Sequence, residues 1–146
     1  MKRSKGNWLL PKLVLALLCS SLRAQTLHVQ IVDGLNGKPI ANQHLLVFGS
    51  EDEKLALVEH PRRTEFVTDA EGFVTFSQVA STVRAVVIFV DWHHPCSKTR
   101  TFNLEQVFSE GVVSENSCKR SIKRVATPGT LVFFVRDETF LEKMAH

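Results

Sequence analysis

The chain has 146 residues, with 18 Lys and Arg against 15 Asp and Glu and a formal net charge of +3. Five of the basic residues and none of the acidic ones lie in the first 24 positions, so 13 basic residues face 15 acidic ones from Gln25 onward. This charge balance does not support a generic nucleic-acid-binding protein, which needs a concentrated basic surface. The remaining length, about 122 residues, suits one domain and is too short for two.

The first 24 residues carry the features of a secretory signal peptide. Lys2, Arg3 and Lys5 form a basic start, Leu13–Cys19 is a short apolar run, and the small residue Ala24 follows. This order is typical of a segment that is removed after export. The apolar run is shorter than the roughly 18 residues that a membrane-spanning helix requires. We therefore predict export to the periplasm, the cell surface or the extracellular space, with no transmembrane segment in the mature chain.

Two details of this segment stay open. Cleavage after Ala24 and cleavage after Ser21 both fit, because Leu22 is a poor match to the third position before the first of these bonds. Cys19 offers a lipoprotein alternative, although Leu18 before it is larger than the small residue that such a site prefers. Cleavage after Ala24 leaves residues 25–146, which we expect to form a single domain.

The mature chain contains two cysteines, Cys96 and Cys118. Exported proteins in oxidising compartments usually join such a pair, so we predict a Cys96–Cys118 disulfide. Two free buried thiols are the alternative. The bond would close a loop of about twenty residues and, on the chain-entropy model, stabilise the fold by about 3 kcal/mol.

The first half of the mature chain shows strand and turn patterns. Leu27–Ile31 alternates apolar and polar residues, which is typical of a strand with one buried face. The Asp- and Gly-rich stretch Asp33–Gly37 predicts a chain reversal before a second strand at His44–Phe48. Residues 49–63 are polar and are predicted to be a long loop, with at most a weak strand at Leu55–Val58.

The next segments predict a hairpin and two buried strands. Thr64–Thr68 and Phe73–Phe76 flank a tight Asp69–Gly72 turn, which is the pattern of a β-hairpin. Two later runs, Arg84–Val90 and Leu131–Val135, are apolar at consecutive positions. A strand that is apolar on both sides is covered on both sides. A second layer is therefore expected over the outer face of the sheet that contains these runs.

Two short helices are predicted, and either could supply that cover. Asn103–Phe108 begins with a capping residue and carries apolar residues at helical spacing. Residues 137–144 predict a further turn or two, with Phe140, Leu141 and Met144 on one side. If neither helix covered the strands, the exposed apolar surface would indicate a partner protein or a dimer interface.

Two segments of the chain carry a family likeness. Gly37–Asn42 follows an Ile-Val-Asp strand, and Thr68–Gly72 precedes Val74 and Phe76. In these segments the chain resembles the carboxypeptidase regulatory-like domains, over roughly Leu27–Val90. Together with the predicted helices, the resemblance implies an all-β fold: a seven-stranded, Ig-like or prealbumin-like (transthyretin-like) β-sandwich with one or two short helices. It also implies a secreted, non-catalytic domain that stands alone or is attached to peptidases, receptors or adhesins.

Other parts of the chain depart from known patterns. Ser81–Arg84 stands where members of the family commonly carry a Gly-x-Tyr strand, and residues 92–130 hold a cysteine-bearing insertion that the family pattern does not predict. His28 and Asp33–Pro39 are faintly similar to the start of the hydroxyisourate hydrolases, which share the sandwich. The chain lacks their carboxy-terminal Tyr-Arg-Gly-Ser, so none of their catalytic residues is carried over. We predict no enzymatic activity and no cofactor.

The densest group of potential metal ligands is Asp91, His93 and His94, beside Cys96. Carboxylate, imidazole and thiolate groups all bind metals, but the spacing matches no standard zinc motif. Cys96 cannot be a ligand if it forms the disulfide, and adjacent residues of an extended segment point to opposite sides. The simpler interpretation is a metal-free loop in which Trp92 packs on the core edge. Metal or small-ligand binding through this loop is the alternative.

A second charged feature is the run Lys119, Arg120, Lys123 and Arg124. A solvated loop is the simpler interpretation, and an anion-binding or membrane-surface patch is the alternative. We expect a protein partner, or a second copy of this chain, that binds through a sheet edge or an apolar sheet face. The predicted function is a secreted or envelope-associated, non-catalytic interaction or structural module.

Overall fold

The computed structural model describes residues 25–54 and 62–145. Their secondary structure has the order β1 (Gln25–Asp33), β2 (His44–Ser50), β3 (Arg62–Val67), β4 (Phe73–Val79), β5 (Ala85–Val90), β6 (His93–Pro95), β7 (Thr101–Asn103), α1 (Leu104–Ser109), β8 (Val112–Val113), β9 (Thr130–Asp137) and α2 (Phe140–Met144). The predicted signal peptide and the predicted weak strand at Leu55–Val58 lie outside the described residues.

The strands form two sheets, and the main core lies between them. The first sheet has the order β4-β1-β9-β6, with β8 also paired to β9, and the second has the order β3-β2-β5-β7. β1 and β8 run parallel to β9, whereas the other pairs are antiparallel. The predicted all-β sandwich with two short helices is confirmed. The described residues contain nine strands instead of seven, and β6, β7 and β8 are only two or three residues long.

The alternating pattern of β1 builds the centre of the main core. Leu27, Val29 and Ile31 are almost completely buried, because every second residue of a strand points to the same face. Leu104 and Val107 of α1 belong to the same cluster. The core therefore extends from both sheets onto the short helix.

The predicted helix after Asn103 forms, but it lies in another place than expected. The Asn103 side chain caps it, since its Oδ1 accepts a hydrogen bond from the Gln106 amide at 3.2 Å. The helix follows directly on β7, the edge strand of the second sheet, and contacts β1, β7 and β9. Leu104 and Val107 consequently enter the core between the sheets. This helix was a candidate for the cover over the outer face of a sheet, and it does not supply that cover.

The turn at Asp69–Gly72 forms as predicted, but the hairpin around it does not. The Gly72 amide donates to the Asp69 carbonyl at 3.0 Å, and Gly72 has a φ of 75°, which suits glycine. β3 pairs with β2 in the second sheet, and β4 pairs with β1 in the first. The Phe66 and Phe76 rings meet edge to face at 4.2 Å between centroids. The turn is therefore an arch that joins the two layers and places one ring on each.

β9 is buried on both faces, as its unbroken apolar sequence predicts. Its outward side chains, Val132 and Phe134, pack with Val32 of β1 in a second core. The cover comes from residues 111–124, here called the clamp segment, which cross the outer face of the first sheet. This second core also includes Cys96, Val113, Cys118 and Ile122.

β5 is covered on its outer side as well. Ala85 and Val87 form a third, smaller cluster with Phe48, and Phe89 packs against it. The Arg100 guanidinium lies over the Phe89 ring, 4.7 Å from its centroid. Both doubly apolar strands are thus covered from within the chain.

Candidate functional site: the clamp segment and the β6–α2 edge

The predicted disulfide joins Cys96, just after β6, to Cys118 in the clamp segment, with their Cα atoms 5.2 Å apart. Cys96 is only 1% exposed and lies in the second core. Gly34 packs directly under this bond, and a Cβ at that position would meet both Cys96 Sγ and Asn116 Oδ1. The disulfide is therefore closely packed by the residues around it, and neither sulfur is free to bind a metal.

Asn116 holds the clamp segment to the turn after β1. Its Nδ2 donates to the Gly34 carbonyl at 2.9 Å and to the Lys119 carbonyl at 3.1 Å, and its Oδ1 accepts from the Lys119 amide at 3.2 Å. Asn116 is buried, so each of these bonds replaces a bond to water. Sequence reasoning missed this residue, because one Asn in a polar stretch carries no distinguishing signal.

Two serines make further polar contacts between the clamp segment and the first sheet. Ser114 is buried, and its Oγ accepts a hydrogen bond from the Phe134 amide at 3.0 Å. The Ser117 hydroxyl donates to the Cys96 carbonyl. The clamp segment is thus fixed by a covalent bond, an apolar contact surface and hydrogen bonds at several points.

His93 is engaged through both ring nitrogens. Its Nε2 lies 2.9 Å from Asp137 Oδ1, and its Nδ1 lies 2.7 Å from the Asp91 carbonyl oxygen. β6 pairs with β9 in a register that places His93 opposite Asp137, which explains the first contact. A ring with both nitrogens occupied has no lone pair directed at a metal.

His94 has different neighbours. Its Nε2 lies 3.7 Å from a carboxylate oxygen of Glu138 and 3.7 Å from one of Glu142. The contacts of the two histidines thus differ, as expected of adjacent residues in a strand. Within residues 25–54 and 62–145, no three His, Cys, Asp or Glu side chains are arranged to hold a metal ion. The structure therefore does not bring Asp91, His93 and His94 together as one ligand set.

Trp92 was predicted to pack on the core edge, and this prediction is wrong. Its residue surface is 66% exposed, and its φ of 58° places it in the left-handed region. The Glu138 amide donates to the Trp92 carbonyl at 3.2 Å. The tight turn between β5 and β6 therefore directs this backbone toward the α2 connection and leaves the indole exposed.

α2 is held by polar contacts and buries none of its residues. Thr139 and Glu142 form a reciprocal capping box at its start. Arg136 donates to both carboxylate oxygens of Glu142, at 2.9 and 2.7 Å. These hydrogen bonds, first from Arg136 and then from Thr139, hold the pKa of Glu142 far below its usual value. Sequence reasoning missed the Arg136–Glu142 pair, whose spacing crosses from a strand into a helix.

The apolar side of α2 is exposed. Phe140, Leu141 and Met144 are 74%, 79% and 70% exposed. The predicted turn and its apolar side are therefore present, but that side does not cover a sheet. None of the helices in the described part of the chain is long and apolar enough to cross a membrane.

The four basic residues Lys119, Arg120, Lys123 and Arg124 are all exposed on the clamp segment. A surface groove of about 550 Å³ lies beside two of them, Lys123 and Arg124. Gln30, Thr127 and Thr130 line its polar side. The predicted basic patch thus adjoins a concave surface, on the part of the first sheet that the clamp segment leaves open.

Comparison with known proteins finds a distant structural likeness. No protein-family model and no curated protein matches the chain. Among solved structures, the chain is similar to the major pilin subunit of Bacillus cereus, with 10% sequence identity and a TM-score of 0.37. The similarity covers 80% of this chain and 30% of the pilin chain, so this chain spans less than a third of that protein's length.

Proposed function

We propose that this chain is an exported, non-catalytic interaction module that binds another protein. Export is supported by the disulfide, because a bond between Cys96 and Cys118 persists in an oxidising compartment and rarely in a reducing one. The proposed signal peptide, residues 1–24, would end directly before β1. Its removal would therefore leave a chain that starts at the first strand of the β-sandwich, in the periplasm, on the cell surface or outside the cell.

We assign the chain, as part of this proposal, to the carboxypeptidase regulatory-like sandwiches. The support comes from the turns that carry the resemblance. Gly37 and Asn42 have φ values of 77° and 54°, and Gly72 has a φ of 75°. These are backbone conformations that Gly and Asn adopt most readily, so the turns require these residue types at these positions.

The observation that carries the proposed interaction is the exposed apolar side of α2. A five-residue helix is too short to be stable by itself and usually depends on packing of its apolar side. Here the polar contacts of Arg136 and Thr139 hold the helix instead, and Phe140, Leu141 and Met144 remain exposed. The fold therefore fixes an apolar surface in a position where a partner can reach it.

The size and shape of this surface favour a partner with an apolar groove. Three such side chains offer on the order of 400 Å², about half of the area that each partner contributes to a standard interface. A small convex surface gains most contact by inserting into a groove, as short helices do in helix-in-groove recognition. The rim has both signs of charge, with Asp137 and Lys143 exposed, which disfavours an anionic membrane.

Export and oxidation can be tested together. The full chain is expressed in an exporting host, and the exported protein is analysed by intact mass with and without reductant. We expect a mature start at Gln25 or Leu22, no thiol labelling before reduction and two labelled thiols after it. Retention inside the cell with free thiols would contradict the export proposal, and an acylated start at Cys19 would identify a lipoprotein instead.

The contact can be tested by photo-crosslinking in the exporting host. A photoreactive amino acid replaces Leu141, and the matched control carries it at Leu35, which is also an exposed leucine. We expect a defined protein adduct from position 141 that is absent at position 35 and is lost when Phe140→Ser is added. An adduct of twice the chain's mass would identify a second copy as the partner. No adduct beyond the control would overturn the proposed contact.

A further inference from the structure

We propose that the clamp segment and the groove beside it bind an acidic polysaccharide. The basic residues Lys119, Arg120, Lys123 and Arg124 are here called the basic ridge. This site lies on the outer face of the first sheet and is separate from the apolar side of α2. The inference therefore goes beyond the protein contact proposed above.

The charge of the basic ridge is not neutralised locally. The four side chains are exposed, and none forms an ion pair with another described residue. From Gln25 onward the chain has 13 basic and 15 acidic residues, so the part outside the ridge has 9 against 15. A basic surface on an otherwise acidic protein creates a local field that attracts polyanions while the rest of the surface repels them.

The basic ridge is also rigid, which distinguishes it from an ordinary solvated loop. Cys118 anchors its start through the disulfide, and Asn116 binds both the Gly34 and Lys119 carbonyls. Ile122, in the middle of the ridge, packs into the second core. The Arg124 guanidinium donates to the Gly37 carbonyl. Because these contacts already order the backbone, a ligand would not have to supply that ordering free energy.

The groove beside the ridge supplies neutral hydrogen-bonding groups. Gln30, Thr127 and Thr130 line it together with Lys123 and Arg124, beside the apolar residues Phe73, Val125 and Val132, and its volume is about 550 Å³. The Gln30 Nε2 donates to the Glu71 carbonyl at 3.1 Å, so its Oε1 is the atom that can accept from a sugar hydroxyl. Amide and hydroxyl groups donate to and accept from sugar hydroxyls, while the cations bind carboxylate or sulfate groups. A charged sugar chain carries both kinds of group along its length, and this arrangement of residues matches both.

Two other polyanions fit the site less well. An acidic peptide in extended form binds most readily at a sheet edge, where unpaired backbone groups are free. The groove instead crosses three adjacent strands, because Phe73 of β4, Gln30 of β1 and Thr130 of β9 all line it, and so it does not follow the free edge of one strand. An anionic bilayer is flat and would reach the ridge but not the groove.

The test measures binding of the oxidised mature protein to immobilised heparin, used as the probe polysaccharide. We expect binding at 50 mM salt that weakens by on the order of a hundredfold at 200 mM, as for about four released counterions. The variant Lys119→Gln/Arg120→Gln/Lys123→Gln should bind at least tenfold more weakly. The control Lys54→Gln/Arg63→Gln/Lys143→Gln changes the net charge equally at exposed residues elsewhere and should bind within about twofold of the parent.

A second variant, Gln30→Leu, leaves the charge unchanged and should weaken heparin binding about fivefold by removing one hydrogen-bonding group. Polyglutamate and vesicles of phosphatidylcholine with phosphatidylglycerol serve as competitors. Equal losses of heparin binding in the two triple variants would overturn the proposed site. Unchanged binding by Gln30→Leu, or competition by polyglutamate or vesicles as strong as that by free heparin, would overturn the polysaccharide assignment.

Discussion

Arg136 and Glu142 are joined by two hydrogen bonds, from Nη1 to Oε2 at 2.9 Å and from Nη2 to Oε1 at 2.7 Å. Arg136 is in β9 and Glu142 is in α2, so the pair fixes the helix to the last strand of the first sheet. The pairing holds the pKa of Glu142 far below its ordinary value of 4.5 and raises that of Arg136. Since α2 buries no side chain, its position depends on this pair and on the capping box.

α2 should remain docked on the first sheet at neutral and mildly acidic pH. A carboxyl group whose pKa is lower in the folded state than in the unfolded state stabilises the folded state. This stabilisation is complete at pH values above the unfolded pKa, and it is lost as the pH falls toward the folded pKa. The contribution of Glu142 should therefore be constant above about pH 5 and decline only in more acidic solution. The measurement is the protection from hydrogen exchange of the Lys143 and Ala145 amides, which donate to the Thr139 and Glu142 carbonyls.

The matched variants for this measurement are Glu142→Gln and Glu105→Gln. The first should speed exchange of the Lys143 and Ala145 amides several-fold at neutral pH, and the second, an exposed acid on α1, should leave it unchanged. Equal protection in all three proteins would mean that the ion pair does not hold the helix.

The disulfide should contribute strongly to stability. Its cysteines are 22 residues apart in the chain, and a loop of this size is expected to stabilise by about 3 kcal/mol. A Cys96→Ser/Cys118→Ser variant should lose that amount of unfolding free energy in urea titration, and reduction of the parent should cost a similar amount. A loss below about 1 kcal/mol would contradict the view that the clamp segment depends on the bond.

Gly34 should tolerate no side chain. A Cβ there would meet the Cys96 sulfur and lie 2.8 Å from Asn116 Oδ1, so Gly34→Ala should lower the unfolding free energy by about 1–3 kcal/mol. The control is Gly49→Ala, where the added carbon meets a Val83 methyl at 3.1 Å and small shifts suffice. Urea unfolding of both variants tests the difference, and equal losses would argue against tight packing under the disulfide.

Asn116→Ala should destabilise the protein through polar groups left without partners. The Gly34 and Lys119 carbonyls would lose a buried donor, at a cost of about 1–3 kcal/mol. Asn36→Ala removes two hydrogen bonds at an exposed turn, one donated to Asp33 and one accepted from the Lys38 amide, and should cost about 0.5 kcal/mol or less because water can replace both. Thermal and urea unfolding compare the two, and a smaller effect at Asn116 would contradict its anchoring role.

The histidines of β6 should not create a metal site. His93 is occupied by Asp137 and the Asp91 carbonyl, and its neighbour His94 contacts other groups. Equilibrium dialysis against zinc and copper should give the same uptake for the parent and for His93→Ala/His94→Ala. One equivalent of metal that binds the parent and is lost in the variant would restore the metal-binding alternative.

Local patterns in the sequence predicted the features that depend on local chemistry. The alternation of Leu27–Ile31, the cap at Asn103 and the turn at Asp69–Gly72 are decided by nearby residues, and the structure contains all three. The disulfide followed from the number of cysteines and the predicted compartment. Even the need for a second layer followed, because Leu131–Val135 has no polar side.

Long-range choices were not predictable in the same way. The turn sequence Asp69–Gly72 fits an arch between two sheets as well as a hairpin within one sheet. In this protein the flanking strands lie in different sheets, and Phe66 and Phe76 meet between the two layers. The cover of β9 was assigned to a helix because helical spacing is a visible signal. The clamp segment has no such period, and its attachment depends on Asn116 and Ser114, which reach partners distant in the chain.

The parallel pairing of β1 with β9 has a consequence for how the molecule folds. His28 lies opposite Thr130, so the central pair of the first sheet joins segments about a hundred residues apart, and such non-local pairing slows folding. During synthesis, β1 can pair with β4 once Phe73–Val79 has emerged, but it cannot pair with β9 until Thr130–Asp137 has left the ribosome. The first sheet therefore lacks one of its two central strands, and both of the cores that it borders lack their β9 side chains, until that late point in synthesis.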